Sequence, residues 1–323
     1  MSIQDFPNGI SSGGIPLYGS NFCISGPGKH YFVDSVAGSD GNTGKTWKKA
    51  KKSIKAAYAL TTSGNNDVVH VLGCGTAYTN TTVLDFANAY THVVGEASPI
   101  YSGGRARITN TYTGATAGEY TISSVGSIFQ NLHWQHGASA TATSVVGVAL
   151  SGDGRNAFIG CNFEGPTDAT VAGGTAIKPL MLTSTQDNSF YHCTFGGRTI
   201  LSASAAGAMV HFAGSNNNAN TFEKCLFLHY NSTTTSAIIS YVDGAMADSG
   251  YTLFNDCIFH GAANVNVADV IRYTTAGHGC TILKDCALTG LGMATWATGA
   301  WKTHIDVSNS AGAATGGLGG HPA

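Results

Sequence analysis

A short apolar phrase recurs along the chain as Phe158-x-x-Cys161-x-Phe163, Phe190-x-x-Cys193-x-Phe195, Phe222-x-x-Cys225-x-Phe227, Phe254-x-x-Cys257-x-Phe259 and the weaker Leu283-x-x-Cys286-x-Leu288. Its cysteines are spaced by 32, 32, 32 and 29 residues. Phe129-x-x-Leu132-x-Trp134, 29 residues before Phe158, is a sixth copy with Leu and Trp in the places of Cys and Phe. Self-similarity at a fixed period of this length marks a solenoid, in which each unit buries its apolar face only against its neighbours.

The composition of the unit selects strands. Positions i and i+2 of a strand share a face, so Cys161 and Phe163, with their equivalents, point inward. The residue before each Cys varies (Gly160, His192, Lys224, Asp256, Asp285), as on an outer surface. A second inward stretch accompanies each phrase, at residues 145–150, 177–182, 209–212, 238–242 and 270–273. Clusters such as Ser215-Asn216-Asn217-Asn218 supply turns between them. One repeat is therefore two or three short strands with loops, and parallel stacking of repeats gives an all-β, single-stranded, right-handed parallel β-helix. A helical repeat is excluded, because no unit holds an amphipathic run of helical length and the chain carries 43 glycines.

Charged residues are only 11% and the net charge is −2, so nothing global points to a nucleic-acid or membrane partner. There is no apolar run of membrane-spanning length and no basic-then-apolar leader at Met1. Of the eight cysteines, five (Cys161, Cys193, Cys225, Cys257 and Cys286) fall on one position of successive rungs, where a ladder of buried thiols needs no oxidation.

The register divides the chain into an extended arm over residues 1–29, an opening module over 30–96, β-helix repeats over 97–308 and a Gly/Ala-rich tail over 309–323. The arm holds Phe6, Ile10, Ile15, Leu17, Tyr18 and Phe22 at irregular intervals. These are too sparse for a core but suited to docking on another surface. In the opening module, Tyr31-Phe32-Val33-Asp34 reads as a strand and residues 38–44 as a polar turn. Residues 46–60 read as a helix with Trp47, Ala50, Ile54, Ala57 and Tyr58 on one side, placed to cap the open first rung.

Residues 31–44, Tyr-Phe-Val-Asp-Ser-Val-Ala-Gly-Ser-Asp-Gly-Asn-Thr-Gly, followed by Trp47, Ala50, Ser53-Ile54 and Ala57, resemble the opening of many pectate-lyase-like right-handed β-helix proteins. Preceded by an arm such as Phe6-Pro7-Asn8-Gly9-Ile10 through Gly14-Ile15-Pro16, the opening is similar to a group of β-helix proteins of tailed-bacteriophage virions. The resemblance is close over the first 95 residues or so and continues beyond them as a repeat style. It implies a homotrimer that either decorates a capsid as a cement protein, bound to the major capsid protein or another virion protein, or serves as a tail spike or fibre that binds a host glycan. The expected location is the virion, on the capsid surface, after synthesis in the host cytoplasm. A polysaccharide-degrading β-helix enzyme is the third class.

Motifs that suggest chemistry have simpler readings. Gly38 and Gly44, ahead of Lys45-Thr46, are separated by five residues where a phosphate loop needs four. Lys45, Lys48, Lys49, Lys51, Lys52 and Lys55 read as the solvated face of the capping helix, with an acidic protein partner as the next reading. Lys224, Asp256 and Asp285 share one outer position, and Asp256 with Asp285 would stand near the ~5 Å carboxylate separation of retaining glycosidases, but no aromatic sugar groove accompanies them. Arg105, Arg107, Arg155, Arg198 and Arg272 form no cluster with acids as a lyase would need, and neither His133-x-x-His136 nor His278 with Cys280 completes a metal set. Trp296 and Trp301 read as cover for the last rung, and the sequons at Asn80 and Asn231 as incidental. The expectation is a non-enzymatic chain with no catalytic residue, no cofactor and no metal.

Overall fold

The computed structural model describes residues 11–12, 15–16, 28–97, 106–112, 118–136, 146–167, 177–197, 207–232, 236–242, 250–261, 269–273, 280–290, 295–298 and 303–306. Its strands form three parallel sheets that run along the molecule. The first sheet has ten strands, from His30–Val33 to Thr303–Asp306; the second has eight, from Tyr78–Asn80 to Ala287–Gly290; the third has eight, from Leu84–Phe86 to Thr295–Thr298. From Val68–Leu72 to Thr295–Thr298 each coil gives one strand to each sheet and pairs in register with the next, as in Phe158↔Phe190 and Phe163↔Phe195, and the first sheet has one further strand at each end. This is the right-handed parallel β-helix, with three strands per coil and the handedness that parallel crossovers adopt.

Three ladders line the interior. Phe129, Phe158, Phe190, Phe222 and Phe254 stack at centroid spacings of 5.1, 4.8, 4.5 and 4.7 Å. Phe163, Phe195, Phe227 and Phe259 stack beside them at 5.0, 4.9 and 4.7 Å. Each cysteine sits at a corner and donates its thiol to the phenylalanine carbonyl one rung back, from Cys161 Sγ to Phe129 O at 3.3 Å through Cys286 Sγ to Phe254 O at 3.4 Å. All five cysteines are at most 4% exposed, and burial pushes the Cys225 thiol up. Native protein should therefore resist a thiol reagent at these five positions while denatured protein titrates them; rapid native labelling at Cys193 or Cys225 would contradict this packing.

The variable residue before each cysteine has a backbone reason for its place. Asn131, Gly160, His192, Lys224, Asp256 and Asp285 all have φ between 51° and 60°, the left-handed turn that swings the chain from the first sheet into the second. A second left-handed column, Asn66, Tyr90, Gly126, Arg155, Asp187 and Ala219, precedes the first sheet. Next to it runs a buried polar ladder: Asp67, Thr91, Ser127, Asn156, Asn188, Asn220, Thr252 and Thr281, each 0% or 1% exposed. Asn156 N donates to Asn188 Oδ1 and Asn188 N to Asn220 Oδ1, both at 3.1 Å, so side chains satisfy the amides that the corner removes from the sheet.

The helix expected over residues 46–60 is a correction. Trp47–Lys49 forms one 3-10 turn, Ala50 and Lys51 are extended, and the α-helix is only Ile54–Tyr58. Lys51 N donates to Phe32 O at 2.8 Å and Lys51 O accepts from Asp34 N at 2.9 Å, which commits this backbone to the first strand and breaks the helix. Ile54, Ala57 and Tyr58 still enter the core, with the Tyr58 ring 5.0 Å from Phe86, whereas Trp47 is 42% exposed against Phe32. In the arm, Ser11–Ser12 pairs antiparallel with Ile15–Pro16. Phe6, Ile10, Leu17, Tyr18 and Phe22, the side chain of Ile15, and residues 309–323 lie outside the described residues.

Candidate functional site

The chain fills its own candidate phosphate loop. Asp40 Oδ1 accepts from the amides of Lys52 and Ser53 at 2.9 and 2.8 Å, and Asp40 Oδ2 from Ser53 Oγ at 2.9 Å. Lys51 also leaves the solvated lysine face: it is 9% exposed and its Nζ donates to Asp40 O at 2.7 Å. Lys45, Lys48, Lys49, Lys52 and Lys55 are exposed, so a basic, Trp47-bearing patch marks the arm end of the rod.

Of the other sequence candidates, Asp256 and Asp285 fall on equivalent corners of adjacent rungs, with Asp256 N donating to Lys284 O at 2.9 Å. Asp256 and Asp285 sit on exposed left-handed corners, and Lys284 Nζ lies 3.9 Å from Asp285 Oδ2. His133 faces outward, while His136 is 1% exposed with Nε2 4.0 Å from Glu119 Oε1, so the pair cannot share a metal. Among the described residues no group of three or more His, Cys, Asp or Glu is placed to hold a metal ion. Asn80 is buried, its amide nitrogen donating to Tyr78 O and Thr109 O, and Asn231 is 2% exposed.

Two outward clusters escaped the sequence reading. On the first sheet, His30 Nδ1 meets His70 Nε2 at 2.8 Å and His70 Nδ1 meets Glu96 Oε1 at 2.6 Å. The hydrogen bond from His70 holds the Glu96 carboxyl below its usual range, and burial lowers His30. A charged carboxylate thus orients one imidazole, which in turn orients a neutral one. The rings of Trp47, Phe32, His70 and His30 follow one another at 4.7, 5.0 and 5.1 Å, a surface stack over the first rungs.

On the second sheet, Glu164 Oε2 meets His133 Nε2 at 2.7 Å and accepts from Gln135 Nε2 at 3.1 Å. The side chains of His133 and Glu164 are 14% and 11% exposed. Asn162, in register with His133, and Thr194, in register with Asn162, bury Oδ1 and Oγ1 without a partner. Gly197 leaves the room this carboxylate uses, since a Cβ there would come within 3.0 Å of Glu164 Cγ. A carboxylate–imidazole pair at partial burial has the parts for proton transfer. The first coils do not keep the 32-residue period, so the spacings of 40 and 26 residues that join His30, His70 and Glu96 gave no signal in sequence.

No protein-family model matches the chain, and no curated protein matches it. Among solved structures, the chain is similar at low identity to the following. The pectin methylesterase from Aspergillus niger is 15% identical, with 83% of this chain and 87% of that one covered and a TM-score of 0.45. An alginate lyase from Paenibacillus is 9% identical over 76% and 95% of the two chains, with a TM-score of 0.43. ORF18 of Geobacillus virus E2 is 12% identical over 76% and 55%, with a TM-score of 0.35. The expectation of a non-enzymatic chain is corrected here: the solved structures similar to the chain include enzymes, and the missing motifs from which that expectation came do not exclude a site assembled across rungs. The chain resembles right-handed parallel β-helix proteins that include polysaccharide-acting enzymes and a viral protein.

Proposed function

We propose that the chain is a structural protein of a bacteriophage virion, a decoration or cement protein that docks as a homotrimer on the capsid surface, against the major capsid protein or another virion protein. The observation that carries this reading is the division of labour along the molecule. Continuous ladders fill the rod, and its exposed basic and aromatic surface lies on the opening module that follows the arm. There, Lys45, Lys48, Lys49 and Lys52 are exposed, as is Trp47, and the arm that precedes this module in sequence has apolar residues that need a partner surface. The resemblance of the arm and opening module to virion β-helix proteins points the same way. Cations with an aromatic anchor suit an acidic protein surface.

Deleting residues 1–27 tests this, because it removes every apolar arm residue and keeps Lys29, whose N donates to Asp67 Oδ1 at 2.7 Å and whose O accepts from Val68 N at 2.8 Å. The first rung and the core behind it are kept, so the truncated protein should remain soluble and folded while its occupancy on particles falls to background. Wild-type occupancy without the arm would remove the arm as anchor.

A further inference from the structure

We infer that His30 and His70 form a proton-sensitive latch, which holds the start of the first strand on the rod and releases it when both rings are protonated. The rings belong to adjacent first-sheet strands, His30–Val33 and Val68–Leu72, which pair in parallel with His30 opposite Val68 and Phe32 opposite His70. Tyr31, Val33, Val69 and Val71 fill the core, so His30, Phe32 and His70 share the outer face. His30 stacks on His70 at 5.1 Å and 18°, and His70 on Phe32 at 5.0 Å and 14°.

The contacts assign the protons. A Glu96 carboxylate can only accept, so His70 Nδ1, 2.6 Å from its Oε1, donates, and a neutral His70 keeps a lone pair on Nε2. His30 Nδ1, 2.8 Å from that nitrogen, therefore carries the hydrogen between them. One added proton leaves the contact intact, because an imidazolium on either ring still donates to a lone pair on the other. Two added protons set N–H against N–H and charge against like charge, and the contact is lost.

His30 is the ring that leaves, since it is exposed while His70 stays tied to Glu96. Burial, and then His70, hold His30 below its ordinary value, with Asp67 opposing them. The stability that a neutral His30 contributes is thus fully present above the ordinary value of 6.5 and is lost as the pH falls through the lowered one. The neighbouring carboxylates keep their charge in that window. Burial raises Asp67, but hydrogen bonds from Lys29 N, Thr62 N and Asn65 Nδ2, at 2.7, 2.8 and 2.6 Å, bring it below its usual range, and His70 holds Glu96 below its own. His92, opposite Val68 on the next strand, accepts from Ile128 N at 3.1 Å and is pushed down by burial. Lys29, Lys48 and Lys49 are exposed cations that favour release. The latch acts on the residues that join the arm to the rod. Lys29 O accepts from Val68 N at 2.8 Å, and a Cβ on Gly28 would stand 2.0 Å from Asn66 O, so this backbone lies close against the chain before Val68. Loss of the His30 contact frays the strand from this end, wherever the arm docks.

Two measurements on the full-length protein test the latch. Long-range proton–nitrogen correlation of 15N-histidine-labelled protein at about pH 8, above the histidine range, should find the hydrogen on Nδ1 of both His30 and His70. Amide exchange, corrected for its intrinsic pH dependence, should show protection at Lys29 and Val68 falling roughly fivefold or more, the equivalent of one net hydrogen bond, between about pH 8 and about pH 5. Protection at Phe222, in mid-rod, should stay constant. His30→Phe keeps a ring to stack on His70 and gains no proton, so its protection at Lys29 and Val68 should not change with pH. His30→Gln repeats that test with a polar side chain at this exposed position. A hydrogen on Nε2 of either neutral ring, constant protection at Lys29 and Val68 in the wild type, or an undiminished pH step in the variants overturns the assignment.

Discussion

Phe222→Ala is expected to destabilise the solenoid by about 3–5 kcal/mol, the range for deleting a buried aromatic side chain. Phe222 is 0% exposed and sits at mid-ladder. It stacks on Phe190 at 4.5 Å and on Phe254 at 4.7 Å, meets Phe195 and Phe212 edge-on at 5.6 and 6.3 Å, and lies tilted against Phe227 at 6.0 Å. Alanine removes the ring and interrupts the stack in both directions, and the flanking backbone cannot collapse into the gap because each strand is hydrogen-bonded to two neighbours. In a stacked-repeat protein this loss falls on two interfaces at once. Denaturant unfolding of the purified variant should show a lower midpoint with a similar slope. A change below about 1 kcal/mol, the scale of a surface substitution, would mean that the ring does not lie in the core.

Asn188→Ala is expected to cost about 2–4 kcal/mol although it removes no apolar surface, because each buried polar group left without a partner costs roughly 1–3 kcal/mol. Asn188 Oδ1 accepts from Asn156 N at 3.1 Å, and its Nδ2 donates to Thr185 Oγ1 at 3.0 Å and Asn220 Oδ1 at 2.9 Å. All four residues are at most 1% exposed, so water cannot replace the lost groups without opening the corner. The measurement is amide hydrogen exchange at Asn156 together with equilibrium unfolding. Faster exchange at Asn156 with a lowered midpoint is the expected pair of results, and unchanged exchange at Asn156 would contradict the ladder.

What the sequence disclosed and what it hid follow from the same geometry. The phenylalanine and cysteine ladders were legible because one apolar position per coil repeats at a nearly constant interval. The asparagine ladder was hidden because Asn220 follows directly on the polar stretch Ser215–Asn218 that reads as a turn, and only the structure shows it at 0% exposure. The left-handed corners were hidden because Gly160, His192, Lys224 and Asp256 have no chemistry in common, only a backbone angle. Trp47, Ala50, Ile54, Ala57 and Tyr58 fit helical spacing, but spacing cannot reveal that Lys51 is claimed by Val33. The polar clusters were hidden because a solenoid brings together residues one coil apart: His133 and Glu164 are separated by 31 positions, and His70 and Glu96 by 26. A search for compact motifs passes over such pairs, which is why the exclusion of catalysis did not hold.

Capsid docking is tested most directly by an electron cryo-microscopy reconstruction of the intact particle that resolves the rods and the path of residues 1–29. Rods grouped in threes on the capsid surface, with the Lys45–Trp47 end against the shell and the arm running onto a neighbouring protein, are the predicted result. The same rods at the tail tip, or particles whose capsid surface lacks them, would contradict it.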